Sequence, residues 1–282
     1  MYTILLMKQK LFKLIYILIF IICFLLFTYS IVNVFMWDSD NDNSNDEIDY
    51  INDLVNINES NSTNVTFIGV NNILKKDKNK TNIYWSYINM KLIDVNLDEL
   101  LNKNEDTKGW IKVEGTNINY PFVQYKDNGY YLNHSFDKKV NDAGWVFLDY
   151  RNDINNLSKN NIIYGHARLN KTMFGTLKNV LTKDWYNNKN NHVIKLSTAK
   201  ENTLWQIFSV YSIKTENYYI TTDFNNDDEF NIFIDTITKR SKYKFDSIVS
   251  TNDTILTLST CHNKNEKIVV HAKLIKKEVK MQ

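Results

Sequence analysis

Cysteine is scarce in this chain of 282 residues, with two in total, and the pair cannot form a staple. Cys23 lies inside a long apolar run and Cys261 lies near the C-terminus, too unlike in setting to be bridged within one chain. A disulfide scaffold is excluded, and Cys261 is left as a lone thiol in the folded part of the molecule. Proline is rarer still: Pro121 stands alone, while aromatic residues make up 13% of the chain. That balance suits a tyrosine-rich sheet protein more than a disordered one. Net charge is also small, +2 at pH 7, and lysines alternate with acids instead of clustering in blocks. Electrostatics therefore give no case for a nucleic-acid partner. No internal repeat is visible, so repeat architectures drop out as well.

The longest feature present is the uncharged run LIYILIFIICFLLFTYSIVNVFMW at residues 14–37. Its length matches the roughly 20 apolar residues that cross a bilayer as a helix. Lys8, Lys10 and Lys13 precede it and Asp38 and Asp40 follow. The positive-inside bias thus predicts residues 1–13 in the cytoplasm, 14–37 as a single membrane span and the rest outside. A cleavable signal peptide normally has a shorter apolar region ending at small residues, which this segment lacks. Residues 38–64 are rich in Asn, Asp and Ser with few large apolar groups, so burial offers little to offset the cost of ordering them. They read as a linker that KKDKNK at 75–80 extends to residue 83, with the folded domain expected over 84–282.

At the start of that domain, residues 83–104 show helix-like spacing, with Leu97, Leu100 and Leu101 on one face. Beyond Gly109 the pattern turns to short β-rich runs: WIKV at 110–113, NINYPFVQY at 117–125, WVFLDY at 145–150, NIIYG at 161–165, HVIKLS at 192–197 and LWQIFSVYSI at 204–213. Many short strands separated by turn signals predict a mainly β sandwich or barrel. Two helical patterns interrupt them, over 172–181 (Met173, Leu177, Leu181) and 227–240 (Phe230, Phe233, Ile234, Ile237). TILTLST at 254–260 and KIVVHAKLI at 267–275, joined by a polar stretch, predict a final hairpin.

That hairpin brings the end of one strand, at Cys261, toward the start of its antiparallel neighbour, at Lys267. A nearby cation favours thiolate over thiol and stabilises developing oxyanion charge, which is what a cysteine nucleophile needs. It also needs a group to exchange protons with the leaving amine, and histidine titrates in the useful range. Of five histidines, His192 and His271 fall in strand patterns and His134 in a local turn. His166 follows an apolar strand at a loop mouth, after a glycine, and is favoured. His262 stays open through its adjacency to Cys261, although neighbours on an extended chain point to opposite faces.

Three blocks carry a family likeness: INYPFVQYKDNGYYLNHSFDKKVNDAGWVFLDYRN at 118–152, IIYGHARLNKTMFGTLKN at 162–179, and TLSTC at 257–261 followed by KIVVHAKLI. In this order and spacing, on a chain with an N-terminal anchor, the region from Tyr84 to Lys277 resembles class B sortases. The resemblance implies a closed eight-stranded β-barrel with N-terminal helices and a long helix before the strand leading to the cysteine. It implies a cysteine transpeptidase without cofactor or metal, held in the cell membrane with its catalytic domain outside. Cys261 would cut an NPxTx-like sorting signal of a secreted protein after threonine, His166 would protonate the departing amine, and a peptidoglycan-precursor amine would take the acyl group. Asn128, Leu132, Tyr164, Tyr218, Tyr219, Ile220 and Ser259 match the family's substrate groove.

One position departs from the family. An arginine normally opens the last strand, where its planar fork holds a carbonyl, and here that residue is Lys267, which keeps the charge without the fork. Three readings follow: Lys267 substitutes; another cation such as Arg168 serves; or the domain is a catalytically impaired scaffold or binding module. A hydrolase that releases peptide is a further alternative within the enzyme class. The acids Asp223, Asp227, Asp228 and Glu229 have oxygen ligands that suit calcium, but acids also gather at helix N-termini to cap free amides, and that reading is preferred.

Overall fold

The computed structural model describes residues 2–60, 64–77, 80–214, 216–260 and 266–280, and divides into two compact units, residues 1–43 and 44–282. The first unit is the leading part of helix α1 (Tyr2–Leu54), and α1 contains a stretch long and apolar enough to cross a membrane. Its side chains from Leu14 to Trp37 are mostly exposed, including Phe20, Phe27 and Phe35.

In the second unit the strands are β1 (Ile57–Glu59), β2 (Val65–Phe67), β3 (Ile93–Val95), β4 (Thr107–Val113), β5 (Asn119–Val123), β6 (Phe147–Leu148), β7 (Asn160–Gly165), β8 (Val193–Thr198), β9 (Glu201–Ile213), β10 (Ile255–Thr260) and β11 (Lys267–Val279). The principal sheet runs β10-β7-β6-β5-β4-β8-β9-β11, and β11 pairs back onto β10, so eight strands close on themselves; β2 adds to β11 outside the ring. Closure removes the free edges that an open sheet would leave. Inside lie Trp110, Phe122, Trp145, Ile162, Leu196, Trp205, Leu256 and Leu258, all essentially fully buried. Each strand run expected from the sequence contains a strand, though the run at 145–150 shrinks to Phe147–Leu148 and that at 117–125 to Asn119–Val123.

The helices are α2 (Val70–Lys76), α3 (Tyr84–Tyr87), α4 (Asp98–Lys103), α5 (Lys183–Asn187) and α6 (Asp227–Lys239). The long helix α6 sits before β10, as expected. Its first turn holds Asp227, Asp228 and Glu229 of the acidic cluster: the N-cap Asn226 Oδ1 accepts from the Glu229 amide at 2.9 Å, and Glu229 Oε2 accepts from the Asn225 amide at 2.8 Å. Phe230, Phe233, Ile234 and Ile237 then face Phe208 and Tyr211 of β9 and Val269 of β11.

Three expectations are corrected. Residues 172–181 do not form one helix: Lys171 and Met173 take left-handed backbone (φ 70° and 49°), and only the last turn, Leu177–Leu181, is a 3₁₀ helix. Met173, Phe174, Leu177 and Val180 are all fully buried, so the spacing reflects burial on several sides and not one helical face. Residues 83–104 are likewise broken into α3, β3 and α4. Within residues 38–83, read from composition as linker, the chain is helical to Leu54, Ile51 and Val55 join the core, and β1 and β2 pair with β3 and β11. A few apolar residues suffice there because each meets an existing wall, and Glu47 Oε1 adds two anchors by accepting from Asp137 N at 2.6 Å and Ser135 Oγ at 3.2 Å.

Candidate active site

Strands β7 and β10 lie side by side and run parallel, with Tyr164 opposite Ser259 and Gly165 opposite Thr260. Gly165 is followed by His166 and Thr260 by Cys261. The two strands therefore end together, each one residue before a sequence-predicted functional residue. Cys261 and His262 lie outside the described residues. On the other flank, β10 and β11 pair antiparallel as far as Ser259 opposite Val269, and the Ile268 amide donates to Thr260 Oγ1 at 2.9 Å. That bond ties the start of β11, and with it the half-buried Lys267 opposite Ile213, to the last residue before Cys261.

The half-buried His166 is held in place from two sides. Its carbonyl accepts from the Phe174 and Arg168 amides at 2.9 and 3.1 Å, folding the following loop back on it. Its Nε2 lies 2.6 Å from the Leu132 carbonyl oxygen. A carbonyl only accepts, so Nε2 carries the proton in this contact. Gly144 (φ 59°) permits this contact: a Cβ there would stand 2.8 Å from His166 Cδ2 and 2.6 and 2.8 Å from the Tyr131 and Leu132 carbonyl oxygens. Arg168, the alternative cation, donates from Nη1 to the Asp142 carbonyl at 3.2 Å.

Three other histidines are occupied structurally. His134 stacks on Tyr130 with centroids 4.0 Å apart, and His192 is buried with Nε2 2.8 Å from the Tyr186 carbonyl. His271 is fully buried, its ring nitrogens 2.8 Å from Thr257 Oγ1 and from the Tyr211 hydroxyl, and burial pushes its pKa down to about 3.

The expected groove residues fall into linked sets. Tyr219 OH lies 3.1 Å from Ser259 Oγ, and Tyr218 donates to the Tyr211 hydroxyl at 2.9 Å while the Arg240 guanidinium covers its ring at 4.4 Å. Asn128, Tyr164 and Ile220 converge on a pair that the sequence reading overlooked, Asp149 and Arg151. Asp149 Oδ2 accepts from Asn128 Nδ2 at 3.0 Å, Tyr164 OH at 2.9 Å and Arg151 Nη2 at 2.7 Å; Oδ1 accepts from Arg151 N and Nε at 3.0 and 2.8 Å. Arg151 Nη2 also donates to the Ile220 carbonyl at 2.9 Å. Burial pushes the Asp149 carboxyl up, but the Arg151 and Tyr164 hydrogen bonds outweigh it and leave the pKa below the usual carboxylate range. The only signal in sequence was an acid and an arginine two residues apart after a strand.

A closed eight-stranded barrel, in which the strand before Cys261 runs parallel to the strand before His166, finds its match in known proteins. The Sortase domain family model matches residues 111–275. The chain belongs to the sortase family. Sortase B of Staphylococcus aureus is 38% identical over 177 residues, covering 61% of this chain and 72% of the relative. A crystal structure of a Bacillus anthracis protein similar to sortase B superposes with TM-score 0.60 at 40% identity, covering 64% of this chain and 82% of that one. A Staphylococcus aureus sortase B–substrate complex superposes with TM-score 0.60 at 34% identity, covering 73% and 91%. These relatives place this sortase in class B, and it is a cysteine transpeptidase.

Proposed function

We propose that Cys261 is the nucleophile of this sortase, that His166 is its proton-transfer partner and that Lys267 takes the place of the family arginine. The observation that carries the reading is the register of β7 and β10, whose parallel ends stop one residue short of His166 and Cys261. The Cys261 thiolate attacks the carbonyl carbon after threonine in an NPxTx-like sorting signal, and Lys267 balances the oxyanion that forms. Collapse breaks the amide C–N bond, and His166, protonated on Nδ1, gives that proton to the departing amine. The resulting thioester is opened by an amine of a cell-wall precursor, which loses its proton to His166 and restores the thiolate. Splitting one amide exchange into two steps is ordinary covalent catalysis.

Asn128, Leu132, Tyr164, Tyr218, Tyr219, Ile220 and Ser259 line the donor groove in this reading. The similar Staphylococcus aureus sortase B has been crystallised with a substrate, which supports a peptide donor here. Residues 14–37 anchor the enzyme in the membrane with residues 1–13 inside and the catalytic domain outside, supported by the apolar stretch of α1.

The test is acceptor dependence. The full chain in detergent micelles, given NPxTx-type peptides and a triglycine amine, should yield the ligated amide, with hydrolysis dominating only when the amine is withheld. Cleavage at the same rate and with the same product in both cases would identify a hydrolase. Absence of any cleavage by the folded protein would favour a silent binding domain instead.

A further inference from the structure

Asp149 joins four separate parts of the chain. It receives Asn128 from the loop after β5, Tyr164 from β7 and Arg151 from the turn after β6, and Arg151 passes the connection to Ile220 in the 3₁₀ segment Tyr218–Ile220. Its side chain is fully buried and accepts five hydrogen bonds, filling both oxygens. An ion pair with one buried partner is a poor way to gain stability, since taking that charge out of water costs much of what the pairing returns. What it does supply is direction. Asn128 has its amide orientation fixed, with Nδ2 on Asp149 and Oδ1 accepting from the Tyr150 amide at 3.0 Å. The Tyr164 hydroxyl proton is committed to Asp149, which fixes the hydrogen-bonding sense of that group.

We infer that Asp149, with Arg151, is a positioning residue for the donor peptide: it sets the separation and hydrogen-bonding sense of Asn128, Tyr164 and the Ile220 segment before the sorting signal arrives. The inference rests on the reading of those three residues as donor groove. Its consequence is selective. Loosening the hub spoils donor recognition, where three segments must hold a common geometry, and leaves the thiol and the acceptor amine untouched.

The experiment compares the full chain in detergent with D149N and, in case that variant fails to fold, R151Q at a half-exposed side chain. Three quantities are read: KM for an NPxTx-type peptide, KM for triglycine, and the rate of Cys261 alkylation by iodoacetamide, a probe too small to need the groove. Both variants should raise donor KM by about tenfold to a hundredfold, the usual cost of misplacing positioning groups. Acceptor KM and alkylation should stay within about threefold of wild type on the same reasoning, and R151K should recover part of the donor KM. Donor KM unchanged in a folded variant overturns the inference, as does a parallel loss in all three quantities, which marks a purely structural role. A wild-type protein that acylates with no sorting peptide overturns the functional reading itself, and is told apart because the variants then have no wild-type activity to be compared with.

Discussion

Gly144 offers the sharpest perturbation of the site without replacing a reacting group. Its backbone is left-handed (φ 59°), and an added Cβ would stand 2.6 Å from the Tyr131 oxygen, 2.8 Å from the Leu132 oxygen and 2.8 Å from His166 Cδ2. Left-handed backbone costs an alanine about 1–2 kcal/mol, and forcing one extra carbon into a packed site costs roughly 1–3 kcal/mol more. Gly144→Ala should therefore destabilise the protein by about 2–5 kcal/mol, less than the whole stability of an ordinary domain. None of the three neighbours is a flexible chain end: two are backbone oxygens and one is the His166 ring. Relief must come by shifting the ring or the Leu132 carbonyl that holds Nε2, and a displacement near 1 Å lowers turnover on the order of a hundredfold. Urea unfolding followed by tryptophan fluorescence gives the first number, and kcat/KM for peptide ligation in dilute urea-free buffer gives the second. A variant within about 0.5 kcal/mol of wild type, the scatter expected of a neutral surface change, and with wild-type turnover would refute both the packing argument and the role of that histidine.

The remaining predictions concern charge. Lys267→Arg should keep turnover or raise it by up to about tenfold, equivalent to 1.4 kcal/mol of added transition-state stabilisation from a second hydrogen bond; a tenfold loss in kcat/KM would shift the role to another cation such as Arg168. His271 is held neutral between Thr257 and Tyr211, with Phe208 and Phe233 against it, and its pKa is about 3 in the fold against 6.5 for the free side chain. Below pH 6.5 the unfolded chain thus binds a proton that the native state refuses, so stability falls with falling pH down to about 3, with a slope of up to about 1.4 kcal/mol per pH unit. Chemical denaturation from pH 7 to 4 should show this slope reduced in His271→Gln, and an unchanged slope would mean that other groups carry the acid sensitivity.

The barrel was legible because each strand carries its own signal: β-rich apolar runs, bounded by polar turns, have a short length that helices rarely match. The same burial misled over residues 172–181, where Met173, Leu177 and Leu181 mimic a helical stripe although left-handed backbone at Lys171 and Met173 breaks the chain. Residues 44–59 were missed for the opposite reason. Ile51 and Val55 look too sparse to order a polar segment, and nothing local shows that a finished core awaits them. Among candidate site residues, a place after an apolar strand favoured His166, but only the family resemblance set it ahead of His262, and the structure adds what local sequence cannot hold: the Leu132 carbonyl on Nε2, and Gly144 making room. Asp149 shows the limit most clearly. An acid after a strand reads as solvated turn, and only long-range contacts with Asn128, Tyr164 and Ile220 turn it into a buried hub.

The central claim is that acyl transfer passes through a thioester on Cys261. The direct measurement is intact-protein and peptide mass spectrometry of the full chain, quenched in acid during turnover of an NPxTx-type peptide without acceptor. The account predicts a mass increase equal to the peptide fragment ending in threonine, located on Cys261, discharged by hydroxylamine or by added amine, and absent from Cys261→Ala. Turnover retained in that variant, or an adduct located on another residue, would contradict it.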